Sequence, residues 1–251
     1  VTERRDGFWD REDPLSPLDD GTERAGGAAY VDRGPTAERP DWLDHLVTQI
    51  GATPPSYYSR FLPPEAGAGR RAGVLVLVGP RDDDPTQHDV VLTERSHTMR
   101  SHAGQVAFPG GSVDPGDRDV VDAALREAAE EVGLRRDTVE ILATVPELYM
   151  PHRDFGVTPV LGWWRSPHPL SQGDPLEVAS VLRAPISELV DPANRFVVTH
   201  PSGYRGPAFE VDGLLVWGFT AGVLAKLLHL SGLEQPWDTG RLETLPDRMW
   251  G

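Results

Sequence analysis

At 251 residues the chain is long enough for one well-buried domain of about 150 to 200 residues with tails, and short for two. Its 39 acidic residues against 24 basic ones leave a net charge of −15, which opposes binding to DNA or an anionic membrane but not to a small phosphate ligand drawn in by a metal ion and a few local arginines. Cysteine is absent, excluding disulfides, thiolate metal sites and a cysteine nucleophile, and neither a signal segment nor a spanning run is visible, so the cytoplasm is the expected compartment.

In chain order, residues 1–40 mix charges, Gly and Pro with isolated aromatics and lack a periodic apolar face, which predicts a mobile N-terminal tail. The globular domain, 41–235, opens with a helix over 41–50 that puts Trp42, Leu43, Leu46, Val47 and Ile50 on one stripe. Strands are expected over 73–78 and 89–93, separated by the turn-rich run GPRDDDPTQH. A helix over 118–132 follows, with Asp117 as its N-cap and Gly133 as its stop. Further strands are expected over 139–145, 156–164 and 178–182, then a helical turn over 186–189. A strand over 214–219 feeds an apolar helix over 220–230, and 236–251 reads as a loosely attached C-terminal tail. Strands interspersed with a few helices predict an α/β or α+β fold, a mixed sheet sandwiched between helices. Only one of the 24 basic residues, Lys226, is a lysine, a bias that reads as base composition rather than chemistry.

The central helix, DVVDAALREAAEEVGL, carries the chemistry. At 100° per residue Val121, Ala124, Leu125, Ala128 and Val132 share an apolar face, while Glu127, Glu130 and Glu131 gather on a neighbouring stripe. Like charges at i, i+3 and i+4 repel, so the spacing asks for compensation, and a hard divalent cation such as Mg²⁺ or Mn²⁺ supplies it through oxygen ligands. Arg126, four residues before Glu130, is placed to hold that acid in its rotamer. The preceding Phe108-Pro109-Gly110-Gly111 loop lets backbone groups approach an ion or phosphate.

The segment from Gly111 to Leu134 resembles the Nudix box: a Gly, a spaced acidic residue, Arg-Glu, an apolar position, two Glu and Gly-aliphatic. Fourteen residues separate Gly111 from Arg126, one more than the generic spacing, and Asp117 stands near the usual outer Glu. The run LTERSHTMRSHAGQVAFPGG over 92–111 resembles the motif of the coenzyme A diphosphatase branch, and similarity extends over about 75–235. The resemblance implies a Nudix fold with Mg²⁺ or Mn²⁺ held by Glu127, Glu130, Glu131 and the Gly111 backbone. It implies Arg126, Glu130 and Glu131 as the catalytic set, and Arg95, Arg100, His102, Gly104, Gln105, Gly110 and Gly111 as substrate contacts; Glu177, in the turn before the strand at 178–182, joins the catalytic set by position, as an extra ligand or general base. Asp154, His152 and Arg153 are secondary candidates.

The implied reaction is hydrolysis of the coenzyme A diphosphate to 3′,5′-ADP and 4′-phosphopantetheine. The expected partner is therefore a small diphosphate, with no nucleic acid or membrane, and a homodimer is admitted. Two other readings stay open: a Nudix diphosphatase for ADP-ribose, dinucleotide polyphosphates or nucleotide sugars, and a non-catalytic nucleotide sensor of the same fold.

Overall fold

The structure, a computed structural model, describes residues 38–65, 67–98, 103–246 and 249. Most of the expected N-terminal tail, 1–37, lies outside them. Helices α1 (Asp41–Ala52) and α2 (Pro55–Tyr58) lead into strands β1 (Arg70–Pro80), β2 (His88–Arg95), β3 (Val106–Ala107) and β4 (Gly110–Ser112). Helix α3 (Val120–Val132) is followed by β5 (Val139–Thr144), β6 (Leu148–Met150), β7 (Phe155–Trp164) and β8 (Val178–Pro185). Helix α4 (Ile186–Val190), β9 (Arg195–Thr199), β10 (Arg205–Val211), β11 (Leu214–Val216), α5 (Gly218–Leu230) and β12 (Leu242–Thr244) complete the order.

The long aliphatic run of β1 sits at the centre of a mixed sheet, ordered β3-β2-β1-β7-β5, with β4, β6 and β8 paired to β1, β7 and β2. Burial alternates in destination along β1. Leu75 and Leu77 pack with Ala124, Ala128 and Val132 of α3, whereas Val76 and Val78 join Leu43 and Leu46 of α1 and Leu224 and Leu228 of α5. Helices therefore cover both faces, which is why β1 tolerates no polar residue through its middle. The expected mixed sheet between helices is borne out, and no helix among the described residues is long and apolar enough to cross a membrane.

Three expectations need correction. The N-cap of α3 is Asp119, whose side chain accepts from the Val121 and Asp122 amides; Asp117 is committed elsewhere, and the helix starts at Val120. The strand expected over 214–219 ends at Val216 because α5 already begins at Gly218. The segment expected as a loose tail contributes β12, parallel to β9 in a second sheet ordered β11-β10-β9-β12, and Leu245 is fully buried against it.

Candidate active site

The site forms where β4 runs beside the N-terminal half of β1 and α3 crosses over both. Gly110 adopts φ 153°, and a Cβ there would stand 2.4 Å from the Gly73 carbonyl oxygen. Its free amide donates to Glu131 Oε2 at 3.0 Å. At Gly111 a Cβ would lie 2.3 Å from Glu127 Oε1, so this carboxylate rests on bare backbone. Gly111 thus admits the Glu127 carboxylate to a space that any side chain would fill, while Gly110 lets β4 lie close on β1 and presents its amide to Glu131.

Desolvation dominates the electrostatics. Glu131 is only 9% exposed, and burial pushes its carboxyl up to about 7; the charges of Glu127 and Glu177 push the same way, against the Gly110 amide and Arg95. Glu127 is also raised, chiefly by burial, with Glu130 and Asp114 adding to it and Arg126 opposing. Glu130 is different: its side chain is 61% exposed and reaches Arg126 Nη1 at 3.3 Å. The acidic stripe expected from helical spacing is therefore two desolvated carboxylates and one at the solvent edge.

Arg126 ties the loop to the helix. Its Nε and Nη2 each donate to Asp117 at 3.0 Å, a two-pronged contact that holds the Asp117 carboxyl below the usual range. Nη2 also donates to the Ser112 carbonyl at 3.1 Å, and Nη1 to Glu127 Oε1 at 3.1 Å. The guanidinium fixes the rotamers of the acids around it, and Asp117, expected as a helix cap, is its principal partner. Sequence spacing missed this role because a nine-residue separation across a loop has no periodic signature.

The other candidates divide by position. Arg95 ends β2 half-buried, with its Nε buried and without a hydrogen-bond partner, and its charge is felt at Glu131. Glu177 precedes β8; its carbonyl accepts from the Ser96 amide at 2.9 Å, its side chain is exposed, and its charge too reaches Glu131. Gly104 sits at φ 68° against the His97 ring, and the Gln105 side-chain amide donates to the Met249 carbonyl at 3.0 Å. Arg100 and His102 lie outside the described residues. Asp154 closes a turn, accepting from the Gly69 amide and the Tyr149 hydroxyl, while His152 and Arg153 are exposed nearby.

Among the described residues no three acidic or histidine side chains already stand together as a finished metal cage. The donor chemistry nonetheless fits a hard divalent cation. Glu127 and Glu131 are carboxylates that burial and mutual repulsion both disfavour in their charged form, beside an open backbone turn, and Mg²⁺ or Mn²⁺ takes few protein oxygens while retaining water.

A sequence model of the NUDIX domain matches residues 69–192. The "Uncharacterized Nudix hydrolase NudL" of Citrobacter koseri is 39% identical over 172 residues, covering 66% of this chain and 84% of that protein. Its counterpart of the same name in Cronobacter sakazakii is 38% identical over 174 residues, covering 66% and 85%. Among solved structures, a Nudix hydrolase from M. smegmatis, RenU, aligns over 70% of this chain and 97% of its own at 19% identity and a TM-score of 0.47. On the strength of the curated relatives and of a domain match that spans β1, the glycine turn and α3, the chain belongs to the Nudix hydrolase family.

Proposed function

We propose that the chain is a phosphoanhydride hydrolase working with Mg²⁺ or Mn²⁺, and that its substrate is coenzyme A or a derivative. The observation that carries the reading is Glu131: a carboxylate sunk beside a glycine turn, charged only at a cost, next to a second desolvated carboxylate. Such groups mark functional sites more often than structural ones. Glu127, Glu130 and Glu131, with the Gly111 carbonyl, would hold the cation, which when bound supplies charge neutralisation of the diphosphate and Lewis acidity toward water.

The chain's own groups do the rest. Arg126 keeps Glu127 and Glu130 in place from one guanidinium. Glu131 Oε2 is taken by the Gly110 amide, which leaves Oε1 to border the cation and to accept a hydrogen bond from the water that attacks phosphorus. Glu177 stands at the rim as a second acid able to orient that water. Arg95, and Arg100 and His102 by the motif, contribute donors to the phosphates, so that positioning and charge compensation supply the acceleration without a covalent nucleophile. The choice of coenzyme A is supported by the 92–111 run and the one-residue-longer box, and the compartment we assign is the cytoplasm.

The test is a panel of coenzyme A, acetyl-coenzyme A, ADP-ribose, a dinucleotide polyphosphate and a nucleotide sugar, each with Mg²⁺ and Mn²⁺ and read by mass spectrometry. Coenzyme A should disappear fastest, giving 3′,5′-ADP and 4′-phosphopantetheine. Faster cleavage of ADP-ribose would replace the substrate, and tight binding with no product from any compound would turn the enzyme into a sensor.

A further inference from the structure

We infer that Met249, packed beside β12, is a positioning element for the substrate side of the active site, acting through Gln105. The inference rests on the diphosphatase reading for its kinetic consequence, though not for its structural one. Gln105 follows directly on the loop that leaves β2 at Arg95 and returns toward the glycine turn. Its carbonyl accepts from the Arg95 amide at 2.9 Å, and the neighbouring Gly104 amide donates to the Arg95 carbonyl at 3.0 Å. The backbone of Arg95, whose charge acts on Glu131, is therefore registered against residues 104 and 105.

That register is braced from outside the central sheet. The Gln105 side chain donates to the Met249 carbonyl across 144 positions of sequence at 3.0 Å. One residue on, the Val106 carbonyl accepts from the buried Thr220 hydroxyl of α5 at 3.0 Å. Met249 is itself fixed, packing on the small core formed by Phe196, Val198, Tyr204 and Leu245 between the strands of the second sheet, and its amide donates to the Pro246 carbonyl. Leu245 is fully buried, and its amide donates to Thr199 of β9. Met249, packed on the core of the second sheet, thus reaches the backbone segment that registers Arg95 at the end of β2. Gln105, a candidate substrate contact by motif, is a positioning residue in this geometry.

The test compares three variants: Gln105→Ala, a chain ended after Pro246, and the two combined. In steady-state assays with the substrate found by the panel, each single change should raise KM about threefold to tenfold, the loss of one hydrogen bond, with kcat within about twofold of wild type. The combined variant should do no worse than either, because both remove the same link. Hydrogen exchange without substrate should show the Arg95 and Gly104 amides losing about threefold to tenfold of their protection in every variant. If Gln105→Ala raises KM while the shortened chain does not, Gln105 touches substrate directly and the inference is overturned. Unchanged exchange at both amides overturns it as well. Should the shortened chain not fold, exchange in Gln105→Ala decides alone. Should no diphosphate be cleaved, the same exchange measurement still judges the brace while the enzymatic reading falls.

Discussion

Two buried glutamates on opposite sides of the central sheet lead different lives. Glu140 on β5 is 2% exposed, deeper than Glu131 on α3 at 9%. Yet Glu140 receives Arg39 Nη1 at 2.7 Å, and Arg39 also reaches Asp44 of α1 at 2.7 Å, so the charge is matched and the chain entering the domain is fastened to the sheet. Glu131 has a neutral backbone amide as its hydrogen-bond partner, and two of its neighbours, Glu127 and Glu177, share its sign. Depth of burial does not separate the paired acid from the one proposed to react; the charge that surrounds each does.

The largest expected effect lies on the uncompensated side. Glu131→Gln should lower kcat by about 1,000-fold or more with KM little changed, while its Tm stays at or above wild type, since an amide carries no desolvated charge. Turnover within tenfold of wild type would move the reactive carboxylate elsewhere, to Glu177 first. The compensated side should answer in the opposite currency. Arg39→Ala takes its guanidinium away from both Glu140 and Asp44 and should cost about 2 to 3 kcal/mol in chemical denaturation, with kcat of the folded protein unchanged. A loss below about 0.5 kcal/mol would mean that the pair does not hold the domain entrance.

Lys226 sharpens the comparison, being a buried charge with a neutral acceptor far from the acidic centre. Its ammonium donates to the Tyr57 carbonyl at 2.8 Å, and burial brings it from its ordinary 10.5 down to about 8. Between those two values the folded state binds fewer protons than the unfolded chain, so stability rises with pH across that window; below about 8 both states hold the proton and the desolvation cost is borne in full. Relative to Lys226→Met, wild type should therefore gain on the order of 2 kcal/mol from pH 8 to 10.5. As the only lysine in the chain, its titration can be followed directly by NMR. A difference that does not vary with pH would refute the assignment. The smallest effect should be Arg126→Lys, which keeps the charge but not the two-pronged hold on Asp117, and should reduce kcat/KM about tenfold. An unchanged value would make the Arg126 network ornamental to catalysis.

Much of this is legible in the sequence. The apolar runs of β1, β2 and β7, the apolar periodicity of α3, the all-round apolar character of α5 and the Gly133 stop at φ 67° are local signals, and local signals survive folding. What escaped is long-range. Pro207 within β10 and the three-residue length of β12 obscure the second sheet, because their strand character comes from pairing with β9 rather than from their own composition. Asp117 and Asp119 are equally good caps by residue type; Arg126 decides between them by claiming Asp117. The acidic triplet was visible at helical spacing, but that Glu131 faces inward and Glu130 outward depends on where the sheet lies, which no periodicity within the helix reports.

On the proposed function, the carboxylates at the glycine turn take up a divalent cation. Titration of Mn²⁺, followed by electron paramagnetic resonance on wild type and on the Glu127→Gln, Glu131→Gln double variant, tests it most directly. Wild type should sequester the ion and the double variant should lose at least about 10-fold in affinity while remaining folded. Equal Mn²⁺ binding by the two proteins would contradict the account.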